Sequence, residues 1–242
     1  MRALPCVLLA SLLLVSCDED PGVDAGPQTD GGRDAGTDAG PPTDEPDKGP
    51  WVIRVDTTSA VVCWETVIEP AAIEVGFEPV SGGATMTATG VSTPTDVTTS
   101  YGEGIRAVME PDLAGTYYLN EVLLEGLSPA TCYTYRVAGY DTAAGRVCTA
   151  HDATDHTTPI HFLAIGDTNP TLGETADLLS HVLAPPPEFV VHVGDVQYYA
   201  TIVESWRSWF RLMEPLLETA PMYPVAGNHE VGLFAPYDHA QA

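Results

Sequence analysis

Residues 188–195 read EFVVHVGD, a short apolar run that ends in Gly194 and Asp195. Two further runs follow the same plan, IHFLAIGD at 160–167 and PMYPVAGN at 221–228. Short apolar runs that are rich in β-branched and aromatic residues and bounded by turn residues are typical of buried strands. We therefore expect three strands, each of which ends in a sharp turn at a glycine.

Two stretches with helical periodicity separate the three predicted strands. They are TADLLSHVLA at 175–184 and TIVESWRSWFRLMEPLLETA at 201–220. Strands that alternate with helices predict a parallel α/β sheet. We therefore expect residues 157–242 to form an α/β domain.

Several conspicuous side chains in this region have ordinary structural interpretations. The expected core residues are Trp206, Trp209 and Phe210. Glu204 and Arg207 are expected to face solvent on the second helix. His192 lies two residues before Gly194, and we expect it to pack within the sheet.

A residue with an oxygen ligand follows the glycine at the end of each predicted strand. These residues are Asp167, Asp195 and Asn228. Because ligands gather at the carboxyl ends of strands in open α/β sheets, the three side chains should converge along one sheet edge. Two carboxylates and an amide oxygen suit a hard or borderline metal ion.

The three segments, taken in order, resemble the motifs of the calcineurin-like metallophosphoesterases. The segments are Gly166-Asp167, Gly194-Asp195-Val196-Gln197-Tyr198 and Gly227-Asn228-His229-Glu230. Within that group the chain looks most like the purple acid phosphatases. Tyr198 matches their Gly-Asp-x-x-Tyr, and Asn169 stands where other metallophosphoesterases carry a histidine ligand. Purple acid phosphatases usually have glycine at that position, so Asn169 departs from their pattern as well.

The resemblance implies a role for each matching residue in a binuclear metal centre. Asp167 and Tyr198 would bind an iron(III), Asp195 would bridge both metals, and Asn228 would bind the second, which could be iron, zinc or manganese. His229 would contact the substrate phosphate or protonate the leaving group. The implied activity is hydrolysis of phosphomonoesters by a two-metal mechanism.

Simpler interpretations of two of these residues stay open. Asp167 on its own could be a turn or helix-cap residue. Tyr198 could be a half-buried packing residue, and Tyr199 is a rival for its role.

Two histidine-bearing segments of the family pattern, Val-x-x-His and Gly-His-x-His, do not occur in this sequence. The resemblance therefore implies that residues 157–242 are the N-terminal half of a metallophosphoesterase domain. The alternative is a non-catalytic surface lipoprotein in which the upstream domain mediates contacts.

Residues 49–156 alternate apolar and polar residues in short runs, which predicts a β-sandwich. The segments SAVVCWET (59–66) and GLSPATCYTYRV (126–137) resemble a fibronectin type III-like domain. In that pattern Trp64 lies in the core and Tyr133 forms the tyrosine corner. A domain of this kind usually precedes the catalytic domain in plant-type and many bacterial purple acid phosphatases.

The cysteines of this region allow one disulfide. If Tyr133 and Tyr135 point inward, Cys132 points outward, and Cys148 lies on the next strand across a hairpin. A Cys132–Cys148 bridge is one interpretation, and inert thiols are the other. Cys63 is expected to face outward on the opposite sheet.

The N-terminus predicts export. Residues 1–17 have one basic residue, an apolar run and the segment Leu14-Val15-Ser16-Cys17, which resembles a bacterial lipobox. The resemblance implies lipidation at Cys17 and anchoring in the bacterial cell envelope. An ordinary signal peptide with a chance cysteine is the alternative.

Residues 18–48 are acidic and of low complexity, with repeated Asp-Ala-Gly, and predict a flexible tether. The whole chain has 242 residues and a formal net charge of −25. This charge argues against nucleic acid as a partner, and the only membrane contact expected is the lipid anchor. The sequence leaves the oligomeric state open.

Overall fold

The structure is a computed structural model, and it describes residues 46–97, 115–169, 173–196 and 203–230. All of these described residues belong to one compact unit. The predicted signal peptide, the lipidation site Cys17, nearly all of the acidic tether and Tyr198 lie outside the described residues. Within the described residues, no helix is long and apolar enough to cross a membrane.

The first part of the described chain consists of two four-stranded antiparallel sheets, here called the β-domain. One sheet has the order β1-β2-β6-β5, with β1 at Lys48–Ile53, β2 at Ser59–Thr66, β5 at Val91–Val97 and β6 at Gly115–Glu125. The other has the order β4-β3-β7-β8, with β3 at Glu74–Pro79, β4 at Met86–Thr89, β7 at Cys132–Val137 and β8 at Ala144–Cys148.

One hydrophobic core joins the two sheets. Val62 and Trp64 of β2 share it with Tyr133, Tyr135 and Val137 of β7. These residues alternate along their strands because successive side chains of a strand point to opposite faces. The structure confirms the prediction of an all-β domain, and the narrower assignment to the fibronectin type III class stays a prediction.

Tyr133 closes the corner that leads into β7. Its side chain is buried, and its hydroxyl oxygen accepts a hydrogen bond of 2.9 Å from the backbone N–H of Ser128. A buried tyrosine hydroxyl needs such a partner. This is the geometry expected of a tyrosine corner, in which the hydroxyl bonds to the backbone a few residues upstream.

The second part, here called the α/β domain, alternates strands and helices as predicted. Its elements are β9 at Phe162–Ile165, α1 at Gly173–Val182, β10 at Phe189–His192, α2 at Val203–Leu217 and β11 at Met222–Pro224. The three strands form a parallel sheet in the order β11-β10-β9. Because β10 lies at the centre and every strand runs the same way, the three strand ends meet at one edge.

Helix α2 packs on both domains. Trp209, Met213 and Leu216 are buried in the core of the α/β domain, where Trp206 and Phe210 pack around them. The prediction that the aromatic residues of this helix are core residues is confirmed. On its other side α2 contacts β1 of the β-domain.

The prediction that Arg207 faces solvent is wrong. Its guanidinium lies 2.7 Å from the carboxylate of Asp47, and only 16% of its side chain is exposed. The prediction placed this position on solvent because nothing in the helix pattern reveals that the β-domain packs there.

The boundary between tether and β-domain also differs by a few residues from the expected one. The tether was expected to run through residue 48, whereas β1 begins at Lys48. Lys48 is buried and pairs with Glu65 of β2. Asp47 and Lys48 are therefore part of the folded domain.

The cysteines take two different positions. Cys132 and Cys148 lie opposite each other in the β7–β8 ladder and form a disulfide. Cys63 does not belong to the sandwich core, yet it is buried, and burial raises the pKa of its thiol to about 12. Its partner in the β1–β2 ladder is Trp51, which packs on Phe210 of α2.

Candidate metal centre

The residues that follow β9, β10 and β11 lie together at one edge of the sheet. Two backbone hydrogen bonds join the first two turns. The N–H of Asp167 donates to the carbonyl of Gly194, and the N–H of Thr168 donates to the carbonyl of Asp195, both at 3.2 Å. Asp167 and Asp195 are therefore brought together as the strand order predicts.

Both aspartates have a left-handed backbone. The φ angle is 56° at Asp167 and 50° at Asp195. Non-glycine residues adopt this region infrequently, although aspartate and asparagine do so more readily than most. Strained backbone of this kind clusters at functional sites, where the surrounding structure holds it in place.

The second and third turns approach so closely that only glycine fits between them. A Cβ atom added to Gly194 would lie 2.8 Å from the Cα of Gly227. A Cβ atom on Gly227 would overlap the carboxylate of Asp195. The glycines that the sequence marked as turn residues therefore also permit contact between neighbouring turns.

Asp195 is held in a defined orientation. Its Oδ1 atom accepts a hydrogen bond of 2.9 Å from the backbone N–H of His229, and the residue is 9% exposed. This bond links the turn after β10 directly to the Gly227-Asn228-His229-Glu230 segment. Asn228 and His229 are half-buried in that segment.

Glu230 holds the same two turns together from the other side. Its Oε2 atom accepts hydrogen bonds from the N–H groups of Asp195 at 2.9 Å and Gly227 at 2.7 Å. Its Oε1 atom accepts one from the N–H of Val196 at 2.9 Å. Both carboxylate oxygens are thus engaged with backbone, which gives Glu230 a structural role. Sequence reasoning assigned no role to Glu230, although its place in the tetrapeptide was a usable signal.

Thr168 is the centre of a second, buried network. Its hydroxyl lies 2.7 Å from the carbonyl of Val196, 2.8 Å from Nε2 of His192 and 2.9 Å from Nε1 of Trp209. His192 is fully buried, as expected for a packing residue. Burial lowers the pKa of His192 below its usual value, although Glu230, Asp167 and Asp195 act in the opposite direction.

The described residues include three of the candidate metal ligands that the sequence predicts. Two carboxylates and the amide of Asn228 have the donor chemistry that a hard cation prefers. Over the described ranges, however, no group of three or more His, Cys, Asp or Glu side chains is placed to hold a metal ion. Tyr198, the fourth predicted ligand, is not among those residues. The donor set therefore fits a metal ion but does not complete its coordination.

The fold and this edge of the sheet define a phosphoesterase-like α/β domain that follows a β-domain. Residues 51–162 match the family model for the purple acid phosphatase N-terminal domain. Residues 160–242 match the family model for calcineurin-like phosphoesterases. The chain is thus similar to the purple acid phosphatases in its β-domain and to the calcineurin-like phosphoesterases in its α/β domain.

Individual relatives agree with this. Purple acid phosphatase 22 of Arabidopsis thaliana is 30% identical over 121 residues, which is 50% of this chain and 26% of the relative. Purple acid phosphatase 23 of the same plant is 28% identical over 145 residues, or 47% of this chain and 31% of the relative. The chain thus spans about a quarter to a third of the length of these relatives.

A solved structure supports the fold. The purple acid phosphatase PPD1 from seeds of yellow lupin (Lupinus luteus) aligns with a TM-score of 0.59 at 18% identity. The alignment covers 76% of this chain and 36% of the lupin chain. At this identity the likeness concerns fold alone.

Proposed function

We propose that this chain contributes the N-terminal portion of a metal-dependent phosphoesterase that hydrolyses phosphomonoesters. The observation that carries the proposal is the locked arrangement of the Asp167, Asp195 and Asn228 turns at the ends of three parallel strands. Similarity to the purple acid phosphatases implies a binuclear metal centre. We assign iron(III) with iron, zinc or manganese to it.

The similarity implies a role for each candidate residue. Asp167 and Tyr198 would bind the first metal, Asp195 would bind both, and Asn228 would bind the second. The hydrogen bond from the N–H of His229 to Oδ1 of Asp195 fixes the orientation in which this carboxylate would meet a metal. Bound metals supply Lewis-acid polarisation of the phosphoryl group and a nucleophilic water at mild pH.

The protein side of the chemistry rests on His229. The hydrogen bond from its backbone N–H to Asp195 fixes the position of the His229 backbone beside the candidate ligands. We propose that the imidazole contacts the substrate phosphate or gives a proton to the departing alkoxide. A positioned general acid of this kind contributes about 10²–10⁴-fold to the rate.

Metal binding tests the proposal at the level of this chain. The chain is loaded with iron and zinc or manganese, and the bound metal is measured by mass spectrometry, because the candidate ligands belong to this chain whereas hydrolysis also needs a complete coordination sphere. Asp195→Asn should lose bound metal, and Asp177→Asn, a control at an exposed position of α1, should keep it. A wild-type chain that binds no more metal than Asp195→Asn would refute the proposal and favour the non-catalytic surface protein.

We also propose that the protein is an exported lipoprotein of the bacterial envelope. A lipid on Cys17 anchors it, and the acidic tether joins this anchor to a fibronectin type III-like domain. Support comes from the lipobox-like segment and the acidic tether that follows it. Metabolic labelling with radioactive palmitate in a bacterial host should mark the wild type. It should not mark Cys17→Ser, and it should mark the control Cys6→Ser, because Cys6 lies within the predicted signal peptide. Label on Cys17→Ser would contradict the anchor.

A further inference from the structure

Trp51 belongs to β1 of the β-domain, but its ring packs into the core of the α/β domain. The ring centroid of Trp51 lies 4.8 Å from that of Phe210 in α2. Phe210 in turn lies 5.2 Å from Trp209, with the two rings nearly perpendicular. Trp51, Phe210 and Trp209 form a continuous row of rings, here called the aromatic row.

The aromatic row ends in a hydrogen bond beside the candidate metal ligands. Trp209 is 1% exposed, and its Nε1 atom can only donate. It donates to Oγ1 of Thr168 at 2.9 Å. Thr168 is the residue directly after Asp167.

The hydroxyl of Thr168 also makes a hydrogen bond to the turn that carries the second candidate ligand, Asp195. A hydroxyl has one proton, and the carbonyl of Val196 at 2.7 Å can only accept it. The hydroxyl therefore donates to Val196 and accepts from Trp209. Val196 is the residue directly after Asp195, so a single hydroxyl connects α2 to both aspartate turns.

Other contacts fix α2 against the β-domain along its length. Arg207, three residues before Phe210, pairs with Asp47. The carbonyl of Glu218, just past the end of α2, accepts hydrogen bonds from the hydroxyl of Tyr135 at 2.9 Å and from the N–H of Arg146 at 3.3 Å. The β-domain therefore helps to set the position of α2, and with it that of Trp209.

We propose that the β-domain is a positioning element of the metal centre, which acts through the aromatic row and Thr168 on the Asp167 and Asp195 turns. The proposal rests on the proposed function, and it gives the β-domain a role inside the enzyme rather than as a separate contact module. Small errors in the placement of catalytic groups are costly, since rate depends steeply on the geometry of the bound reactants. Trp51, Trp209 and Thr168 are positioning residues in this scheme.

Hydrogen–deuterium exchange of the full chain, without added metal, tests the proposal directly. Trp51→Leu should speed exchange in peptides that span residues 163–169 and 190–196 by about tenfold, the equivalent of one lost hydrogen bond. Phe77→Leu is the control, because Phe77 is equally part of the β-domain but packs only in the sandwich core. It should leave exchange in these peptides at the wild-type rate. Equal acceleration by both variants would overturn the proposal, because it would reflect general loss of stability.

Two milder variants keep the test decisive if Trp51→Leu does not fold. Trp51→Phe replaces the indole at one end of the aromatic row with a smaller ring, and Trp209→Phe keeps an aromatic ring but removes the N–H donor. Both should accelerate exchange at the same peptides and weaken binding of Mn²⁺ measured by calorimetry. Wild-type exchange in both variants would overturn the proposal. A wild-type chain that binds no Mn²⁺ counts against the proposed function, whereas the exchange result still decides the role of the β-domain.

Discussion

The carboxylate of Glu230 accepts hydrogen bonds from three backbone N–H groups, two in the turn after β10 and one at Gly227. Bonds to an ionised acceptor are stronger than bonds between neutral groups. They hold Asp195 in a left-handed backbone that would otherwise be unfavourable. Glu230 thus maintains the geometry of the turn that carries the candidate ligand Asp195.

Replacing Glu230 with glutamine should expose this role. The amide nitrogen of glutamine cannot accept a hydrogen bond. The backbone N–H groups that bond to one of the two carboxylate oxygens of Glu230 therefore lose their acceptor. We expect Glu230→Gln to lower the free energy of unfolding by about 1.5–3 kcal/mol in urea titrations. It should also weaken Mn²⁺ binding in calorimetry. The control Glu69→Gln, at an exposed position, should stay within about 0.5 kcal/mol of wild type. The role is refuted if the two variants are equally stable.

His192 predicts a pH dependence of stability. Burial lowers its pKa in the folded state, so the unfolded chain binds more protons just below the ordinary histidine pKa of about 6.5. Stability is therefore fully present above that pH and falls as the pH decreases toward the folded-state value. The contribution has a slope of at most about 1.4 kcal/mol per pH unit.

Urea titrations between pH 8 and pH 5.5 measure this effect before most carboxylates titrate. We expect His192→Gln to flatten the pH dependence, because glutamine does not titrate while its amide can still donate to Thr168. His156→Gln, at an exposed position, should follow the wild-type curve. Parallel curves for His192→Gln and wild type would show that His192 does not carry the dependence.

The sequence indicates the candidate ligands but not the residues that orient them. Asp167 and Asp195 were visible because each follows a glycine at the end of an apolar run. Thr168 and Glu230 were not, since their partners come from other strands and from α2. Such roles depend on contacts between segments, and residue type and local spacing do not encode them.

At the scale of elements, the β7–β8 hairpin carries the disulfide between Cys132 and Cys148. The alternation along β7 indicated that Cys132 points away from the core, and the hairpin placed Cys148 opposite. The sequence alone could not choose between a bridge and two free thiols, because pairing depends on the exact register of the two strands. Cross-linking acts mainly by restricting the unfolded chain.

Removing the bridge should destabilise the protein measurably. The two cysteines are 16 residues apart, and a loop of this size is worth about 3 kcal/mol in the chain-entropy estimate. The double variant Cys132→Ser/Cys148→Ser should therefore unfold at lower urea concentration than the oxidised wild type. Dithiothreitol should bring the wild type to the level of the variant and leave the variant unchanged. Equal stability of oxidised and reduced wild type would contradict the prediction.

Helix α2 shows why an element can be predicted while its surroundings are not. Its apolar periodicity indicated a helix with Trp209 in the core, and the structure agrees. The same pattern placed Arg207 on solvent, because a helix that contacts two domains has two covered faces. One of these is covered partly by charged residues, which hydrophobic periodicity does not detect.

At the scale of the whole molecule, the order of the two domains was predictable and their interface was not. Strand-like alternation gives way to strand–helix alternation near residue 158, which marks the boundary in the sequence. The interface depends on single contacts such as Trp51 with Phe210 and Asp47 with Arg207. Because these contacts surround α2, the two domains should be thermodynamically coupled rather than independent.

Arg207 allows a test of this coupling. Asp47 and Arg207 are 10% and 16% exposed, and removing one partner from a buried ion pair costs about 3–5 kcal/mol. We expect Arg207→Ala to lose about 2–3 kcal/mol, since some exposure reduces the penalty. Wild type should show one urea transition that coincides for tryptophan fluorescence and circular dichroism. The matched control Arg211→Ala, at an exposed position of the same helix, should change stability by less than about 0.5 kcal/mol. Separate transitions for the two probes in the wild type would show that the domains unfold independently. Equal losses in the two arginine variants would show that the Asp47–Arg207 pair does not couple them.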